Sequence, residues 1–179
     1  MPRIIATSAR RGHHFSKTPQ AAIRLIAGLG VEGDGHAGAT VQHRSRARFN
    51  PALPNLRQVH LIDTGYIAAM ADAGFVIEPG DIGENLLVDG VDLITLPRGT
   101  MLAMGDGAVV ELTGLRNPCV QMDRFRPGLM AASLRRDDDG GLIRLTGVMA
   151  IVQSGGHVRA GDGVTITLPP PPHAVLEPV

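Results

Sequence analysis

A chain of 179 residues, 44% hydrophobic and 19% charged, is long enough for one domain with a buried core. Its formal net charge of +0 argues against a general nucleic-acid or anionic-membrane binder, which would normally be basic. A single cysteine excludes an intrachain disulfide and a Cys-Cys zinc site, so a reducing, cytoplasmic setting is the expectation.

The opening MPRIIATSARRGHHF lacks the apolar length of a secretory signal. No stretch reaches the ~18 apolar residues of a membrane span. Glycine occurs 23 times, proline 13 times, and aromatics make up only 3%. Many turns and few rings point to short strands joined by tight connections.

RIIATSA (3–9) reads as a first strand, and PQAAIRLIAGLG (19–30) as a strand or short helix. GVEGDGHAGATVQHRSRARFN (30–50) is a glycine-rich loop followed by a basic run that holds Arg44, Arg46 and Arg48. A loop of this length inside one domain is usually functional or mobile. RQVHLID (57–63) alternates imperfectly, as a half-buried strand does. Asp63 or Thr64 can then cap a helix through TGYIAAMADAG that Gly74 stops. In the turn-rich segment 79–114, TMLAM and AVVELT flank Gly-Asp-Gly and predict a hairpin. RPGLMAASLRR (126–136) has helical spacing, closed by DDDGG. GLIRLTGVMAIVQSG (141–155) and RAGDGVTITL (159–168) supply the closing strands. The proline-rich tail 169–179 is expected to be extended or disordered, outside the core. The whole fits a mainly β chain: a single domain over 1–168, closed or nearly closed as a β-barrel, with a few peripheral helices.

Three stretches could carry chemistry. The first is ELTGLRNPCVQMD (111–123), which contains Cys119. A lone cysteine is more often an inert, buried small hydrophobe. Here Pro118 turns the chain, Arg116 and Arg124 lie close in sequence, and Asn117, Gln121 and Asp123 make the flanks polar. A nearby arginine favours the reactive thiolate, which can attack, carry sulfur or ligate a soft metal. The second is GDIGENL (80–86), where Glu84 and Asn85 follow a tight glycine turn; a merely structural turn is the alternative. The third is GVEGDGH (30–36), whose backbone N–H groups could cradle an anion or simply form a surface loop. A zinc site from His36, His60 and Glu84 is a weaker candidate, since no histidine pair has helical spacing around a glutamate.

Taken in order, these stretches resemble the MOSC domain, the C-terminal domain of molybdenum cofactor sulfurase. GVEGDGH resembles its Gly-x-x-Gly-Asp-x-His element, RQVHLID the strand that follows, and PGDIGENLLVDGVDLITLPRGTMLAMGD its central segment. VVELTGLRNPC resembles the strand ending in the family cysteine, and GVMAIVQSGGHVRAGDGV the closing pair of strands. The likeness runs over roughly residues 28–166 and is that of a small stand-alone member. It implies a β-rich barrel and a site for the molybdenum cofactor, a molybdopterin. Cys119 matches the family cysteine, implied both as metal ligand and as catalytic residue, with Glu84 and Asn85 beside it. Asp34, His36 and Gly83 match the family's motifs, and with Arg57, Arg116 and Asn117, which could meet an anionic cofactor, they are the residues expected to border it. The chain departs from the family at LRNP, where Arg116 stands at a position that is smaller or acidic in many relatives.

Three functions compete at this level. One is a cysteine-ligated molybdenum enzyme that reduces N–O bonds of a small-molecule substrate, supplied with electrons by a redox partner. The second is a sulfur carrier whose Cys119 takes a persulfide from a cysteine desulfurase-type donor, or a module that delivers cofactor. The third is an idle barrel with a structural cysteine.

Overall fold

The computed structural model describes residues 1–42, 48 and 50–179. Arg44 and Arg46 of the basic run lie outside the described residues; Arg48 is an exposed turn residue. The chain begins with β1 (Arg3–Ala9), β2 (Thr18–Gln20), β3 (Ala22–Ile26) and β4 (Gly30–Val31). The ambiguous segment 19–30 is therefore β-structure. Its Ile23 and Leu25 alternate inward, and β3 pairs with β4 through Leu25 and Val31.

β5 (Val59–Asp63) leads directly into α1 (Thr64–Asp72). The Asp63 carboxylate accepts the Tyr66 amide at 3.2 Å and so caps the first turn. The helix ends where Gly74 adopts φ +86°. There the Gly74 amide reaches Ala71 and the Phe75 amide reaches Met70, closing two carbonyls that the helix leaves open.

β6 (Leu86–Asp89) follows, and then β7 (Met101–Met104) and β8 (Ala108–Leu115) form the expected antiparallel hairpin. After β8 come α2 (Val120–Phe125) and α3 (Leu129–Ala132). The helix expected over 126–136 survives only as that single turn. β9 (Leu134–Arg136) and β10 (Leu142–Arg144) replace the rest, because DDDGG forms a hairpin turn rather than a helix stop. There the Asp137 carboxylate accepts the amides of Asp139 at 3.1 Å and Gly141 at 2.6 Å, which fixes the reversal. β11 (Val148–Ser154), β12 (Gly156–Arg159) and β13 (Val164–Thr167) complete the fold.

The main sheet has eight strands in the order β13-β7-β8-β11-β5-β6-β1-β2. Among the described residues no continuous ladder closes it; of the closed or nearly closed barrel expected, the mainly β architecture with few helices is what the structure bears out. β2 is short and covers only the Thr7–Ala9 end of β1. The other end of β1 meets the approach to β13 through Ile4 to Asp162 and Val164 to Pro2, both 2.8 Å.

β5 was expected to be half-buried, yet all five of its residues are buried. It lies inside the sheet, antiparallel to β11 and parallel to β6. Val59 and Leu61 join the core between the strands, while Ile62 joins a second core with Tyr66, Met70, Met122 and Leu129 under the helices. Both faces of β5 are thus apolar, which weakens the alternation a half-buried strand would show. The imperfect pattern in RQVHLID was this effect.

The tail, expected to be extended or disordered and outside the core, does not stay outside it. Leu176 is packed into the main cluster, and the tail amides and carbonyls bond to Arg98 and Leu115. Among the described residues, no helix is long and apolar enough to cross a membrane. We expect Leu176→Ala to lower the unfolding free energy by about 2–3 kcal/mol, through lost burial and an unfilled cavity. A urea titration with unchanged midpoint would show that the tail contributes nothing to the core.

Candidate functional site

At the end of β8 the chain leaves the sheet through Arg116, Asn117 and Pro118. Arg116 is held at both backbone atoms: its amide donates to Gly147 at 3.0 Å, and its carbonyl accepts the Thr146 hydroxyl at 2.7 Å. This clamp directs the next residues toward a cavity of about 370 Å³. Cys119 lines that cavity, half-buried, in extended conformation just before α2. Its Sγ lies 3.7 Å from Gln121 Oε1. His36, Arg57, Gly83, Asn85, Arg116 and Asn117 line the same cavity. Sequence positions from 36 to 119 thus share one space.

Asp34 and Glu84 do not line it; both are buried behind its wall. Asp34 forms an ion pair with Lys17 at 3.1 Å, the two side chains being 0% and 4% exposed. Asn85 completes the knot. Its Oδ1 accepts Lys17 Nζ at 2.9 Å and the His60 amide at 3.1 Å. Its Nδ2 donates to the Ser8 carbonyl at 3.0 Å and to Asp34 Oδ2 at 3.2 Å. An asparagine side chain can accept twice and donate twice, so Asn85 is saturated. Its place is structural and central, beneath the cavity it also lines.

The charges follow from these contacts. Burial pushes the Asp34 carboxyl up. The His36 ring and amide, together with the Lys17 ammonium, outweigh this and hold it well below the usual carboxylate range. Burial lowers the Lys17 pKa and Asp34 opposes it; an ionised pair is the state both contacts favour. Glu84 is different. Burial raises its pKa against the bond it accepts from the Gly80 amide, and Oε2 has no partner among the described residues. Burial therefore shifts Glu84 toward its acid form, against the opposing charges of Arg116 and Lys17. Burial, and then the Arg116 charge, press His60 well below its ordinary value. Its neutral ring donates Nε2–H to the Thr146 carbonyl at 2.8 Å.

Arg116 is the exceptional group. It is buried, and among the described residues no carboxylate lies in ion-pair contact with it. Its Nη1 touches Met122 Sδ at 3.4 Å, and its guanidinium lies 5.9 Å from the Phe15 ring centre. Burial lowers its pKa, and Cys119, Tyr66 and Glu84 act in the opposite direction. A buried cation lacking an anion is costly, and an anion in the cavity would relieve it. Lys17 also lines the cavity, and two of its three N–H groups are engaged by Asn85 and Asp34.

Several sequence expectations change here. GVEGDGH could have been a surface loop or a cradle of free backbone N–H groups for an anion. Instead the Gly35 amide donates to Arg10 at 3.0 Å, and the amides of Asp34, His36 and Ala37 bond within the loop. The loop's contribution is the Asp34 carboxylate. The zinc set His36, His60 and Glu84 does not converge, and no metal-holding cluster of His, Cys, Asp or Glu occurs among the described residues. Asn117 faces solvent at the rim, its Oδ1 accepting Arg144 Nε at 2.8 Å. Gly83 is explained by crowding: a Cβ there would collide with the Phe15 carbonyl. Lys17 escaped the sequence reading, although a signal existed. It is the only lysine in the chain, where arginine otherwise supplies every permanently charged basic side chain.

These elements and this site define a class. The MOSC domain model matches residues 34–165, so the chain belongs to the MOSC domain family, a family associated with the molybdenum cofactor. Among solved structures it is similar to the YuaD protein of Bacillus subtilis, with 21% identity, TM-score 0.75 and coverage of 93% of this chain and 96% of that one. It is also similar to YiiM of Geobacillus stearothermophilus, with 16% identity, TM-score 0.66 and coverage of 93% and 75%. YiiM of Escherichia coli gives 17% identity, TM-score 0.61 and coverage of 97% and 73%. At these identities the likeness is one of fold. No curated protein matches the chain.

Removing one member of the Lys17–Asp34 pair strands the other in the interior. We expect Lys17→Met and Asp34→Asn each to cost about 3–5 kcal/mol, and the double variant less than their sum. Because folding holds Asp34 ionised below its unfolded pKa of about 3.9, its stabilisation is full above that pH and is lost on acidification. Denaturation midpoints measured from pH 7 down to pH 3 should fall less steeply in Asp34→Asn. Equal slopes would deny the ion pair its role.

Proposed function

We propose that the cavity binds a molybdenum cofactor and that the protein is a molybdenum-dependent oxidoreductase acting on N-hydroxylated or related N–O substrates. One observation carries the reading: the chain's only thiol lines a cavity whose buried guanidinium, Arg116, has no carboxylate partner among the described residues. The residues fit the group. A thiolate is the soft donor that molybdenum takes, and a pterin phosphate requires cations. A volume of about 370 Å³ lies within the range of small-molecule sites.

Cys119 would hold the metal; Lys17, Arg57 and Arg116 would hold the anionic part. When bound, the group supplies the two-electron chemistry of N–O cleavage. The chain's own residues orient and enclose. Asn85 and Asp34 fix the Lys17 ammonium, the Gly147 and Thr146 contacts fix Arg116, and Phe15 and Ile82 keep the walls dry. Glu84, buried behind the wall with its pKa raised by that burial, stands beside these cations. Electrons come from a separate redox protein in a reducing cytoplasm, where a free thiol persists.

A second reading has its own support. Cys119 is half-buried rather than sealed, which suits a persulfide received from a desulfurase-type donor.

Protein expressed in a host that makes the cofactor, with molybdate supplied, should contain molybdenum and pterin near one per chain, and Cys119→Ala should lose the metal. Wild-type protein without metal would sink the enzyme reading. A sulfur adduct on Cys119 after incubation with a cysteine desulfurase would then favour the carrier.

A further inference from the structure

Part of the cavity wall comes from outside the matched family region. That region ends at residue 165, yet Val179 lines the cavity with Cys119. The tail carries it there along β8. The Leu115 amide donates to the Glu177 carbonyl at 2.8 Å and the Val179 amide to the Leu115 carbonyl at 3.3 Å, with a parallel bridge between Leu115 and Pro178. Leu176, buried in the core, and the bond from the Arg98 amide to the Ala174 carbonyl at 2.8 Å anchor the tail upstream.

Gly114 is the contact point. A Cβ there would collide with the Glu177 carbonyl and the Val179 side chain, so the missing side chain lets the tail close. Met149 stands opposite Gly114 in the β8–β11 register. The neighbouring Thr113 hydroxyl lies 2.6 Å from the Leu56 carbonyl and 3.0 Å from the Met149 carbonyl. Leu56, Met149 and Val179 are thereby gathered around one point of β8, and all three line the cavity. Lys17, Asn85 and Arg116 give the same cavity a polar, cationic set.

We propose that Leu56, Met149 and Val179 form an apolar selector wall, with the tail as the element that sets its size. The cavity then takes a ligand with a polar or anionic head and an apolar body, aliphatic or aromatic. This rests on the reading of the Cys119 cavity as the binding site. Val179 touches neither the knot around Asn85 nor Arg116 in any contact above; its role is selection by shape and polarity. A methylene-sized change in an apolar pocket alters discrimination by about tenfold or more.

The single thiol makes the test direct. Metal-free protein is treated with methyl and with benzyl methanethiosulfonate, and the two rates at Cys119 are followed by mass spectrometry. The benzyl-to-methyl ratio is compared with that of the urea-unfolded chain. The native wild type should favour benzyl over the unfolded baseline by about tenfold. Val179→Asp, and Gly114→Ala through displacement of the tail, should return the ratio toward baseline. A native wild-type ratio equal to the unfolded one overturns the proposal, and this arm needs no variant to fold. A ratio unmoved in folded Val179→Asp and Gly114→Ala overturns the tail's part. Because no metal is present, the result is independent of whether the protein holds molybdenum.

Discussion

The structure depends on one buried ion pair, Lys17 with Asp34, and on the asparagine that bonds to both. Lys17 precedes β2, Asp34 follows β4, and Asn85 immediately precedes β6. Each segment is short or irregular and has few ladder bonds of its own. A charge in the interior must be matched, so the three segments can reach their places only together. Asn85 has no bonding capacity left over, and such saturated networks specify one arrangement. The floor of the cavity is therefore rigid.

Rigidity at the floor is what allows tension at the wall. Arg116 is buried without a carboxylate partner among the described residues, and Glu84 keeps an oxygen unbonded. Groups left unsatisfied in this way lower stability, and they are tolerated where a ligand completes them. Both stand next to the thiol-lined cavity rather than in the two apolar clusters. The distribution separates a core that supplies stability from a site that draws on it. The tail belongs partly to each, since Leu176 lies in the core and Val179 lines the cavity.

Much of the fold was legible locally. The hairpin of β7 and β8 followed from Gly-Asp-Gly between apolar runs, and α1 from an Asp63 cap and a Gly74 stop. Errors arose where distant partners decide. Segment 126–136 has helical spacing, but β9 is drawn out of it by pairing with β10 across the Asp137 turn. β5 seemed half-exposed because a strand with two apolar faces carries no clean period. The amides of GVEGDGH could have cradled an anion; the tertiary fold instead gives Gly35 the Arg10 carbonyl and Glu32 the Arg24 carbonyl as partners.

The residue types of the site were readable in order along the chain, from Asp34 and His36 through Gly83, Glu84 and Asn85 to Arg116 and Cys119. Order and type are local properties, and they are what a sequence by itself determines here: the family pattern, the single thiol and the punctuation of the strands. Which of these residues face the cavity, and which hold others in place, is a matter of direction and burial. Only the tertiary structure decided that Asn85 is a saturated hub, that Asp34 and Glu84 lie behind the wall, and that Lys17 and Val179 reach the cavity. The physical reason is that desolvation and charge pairing depend on neighbours far away in the chain, which no local pattern encodes.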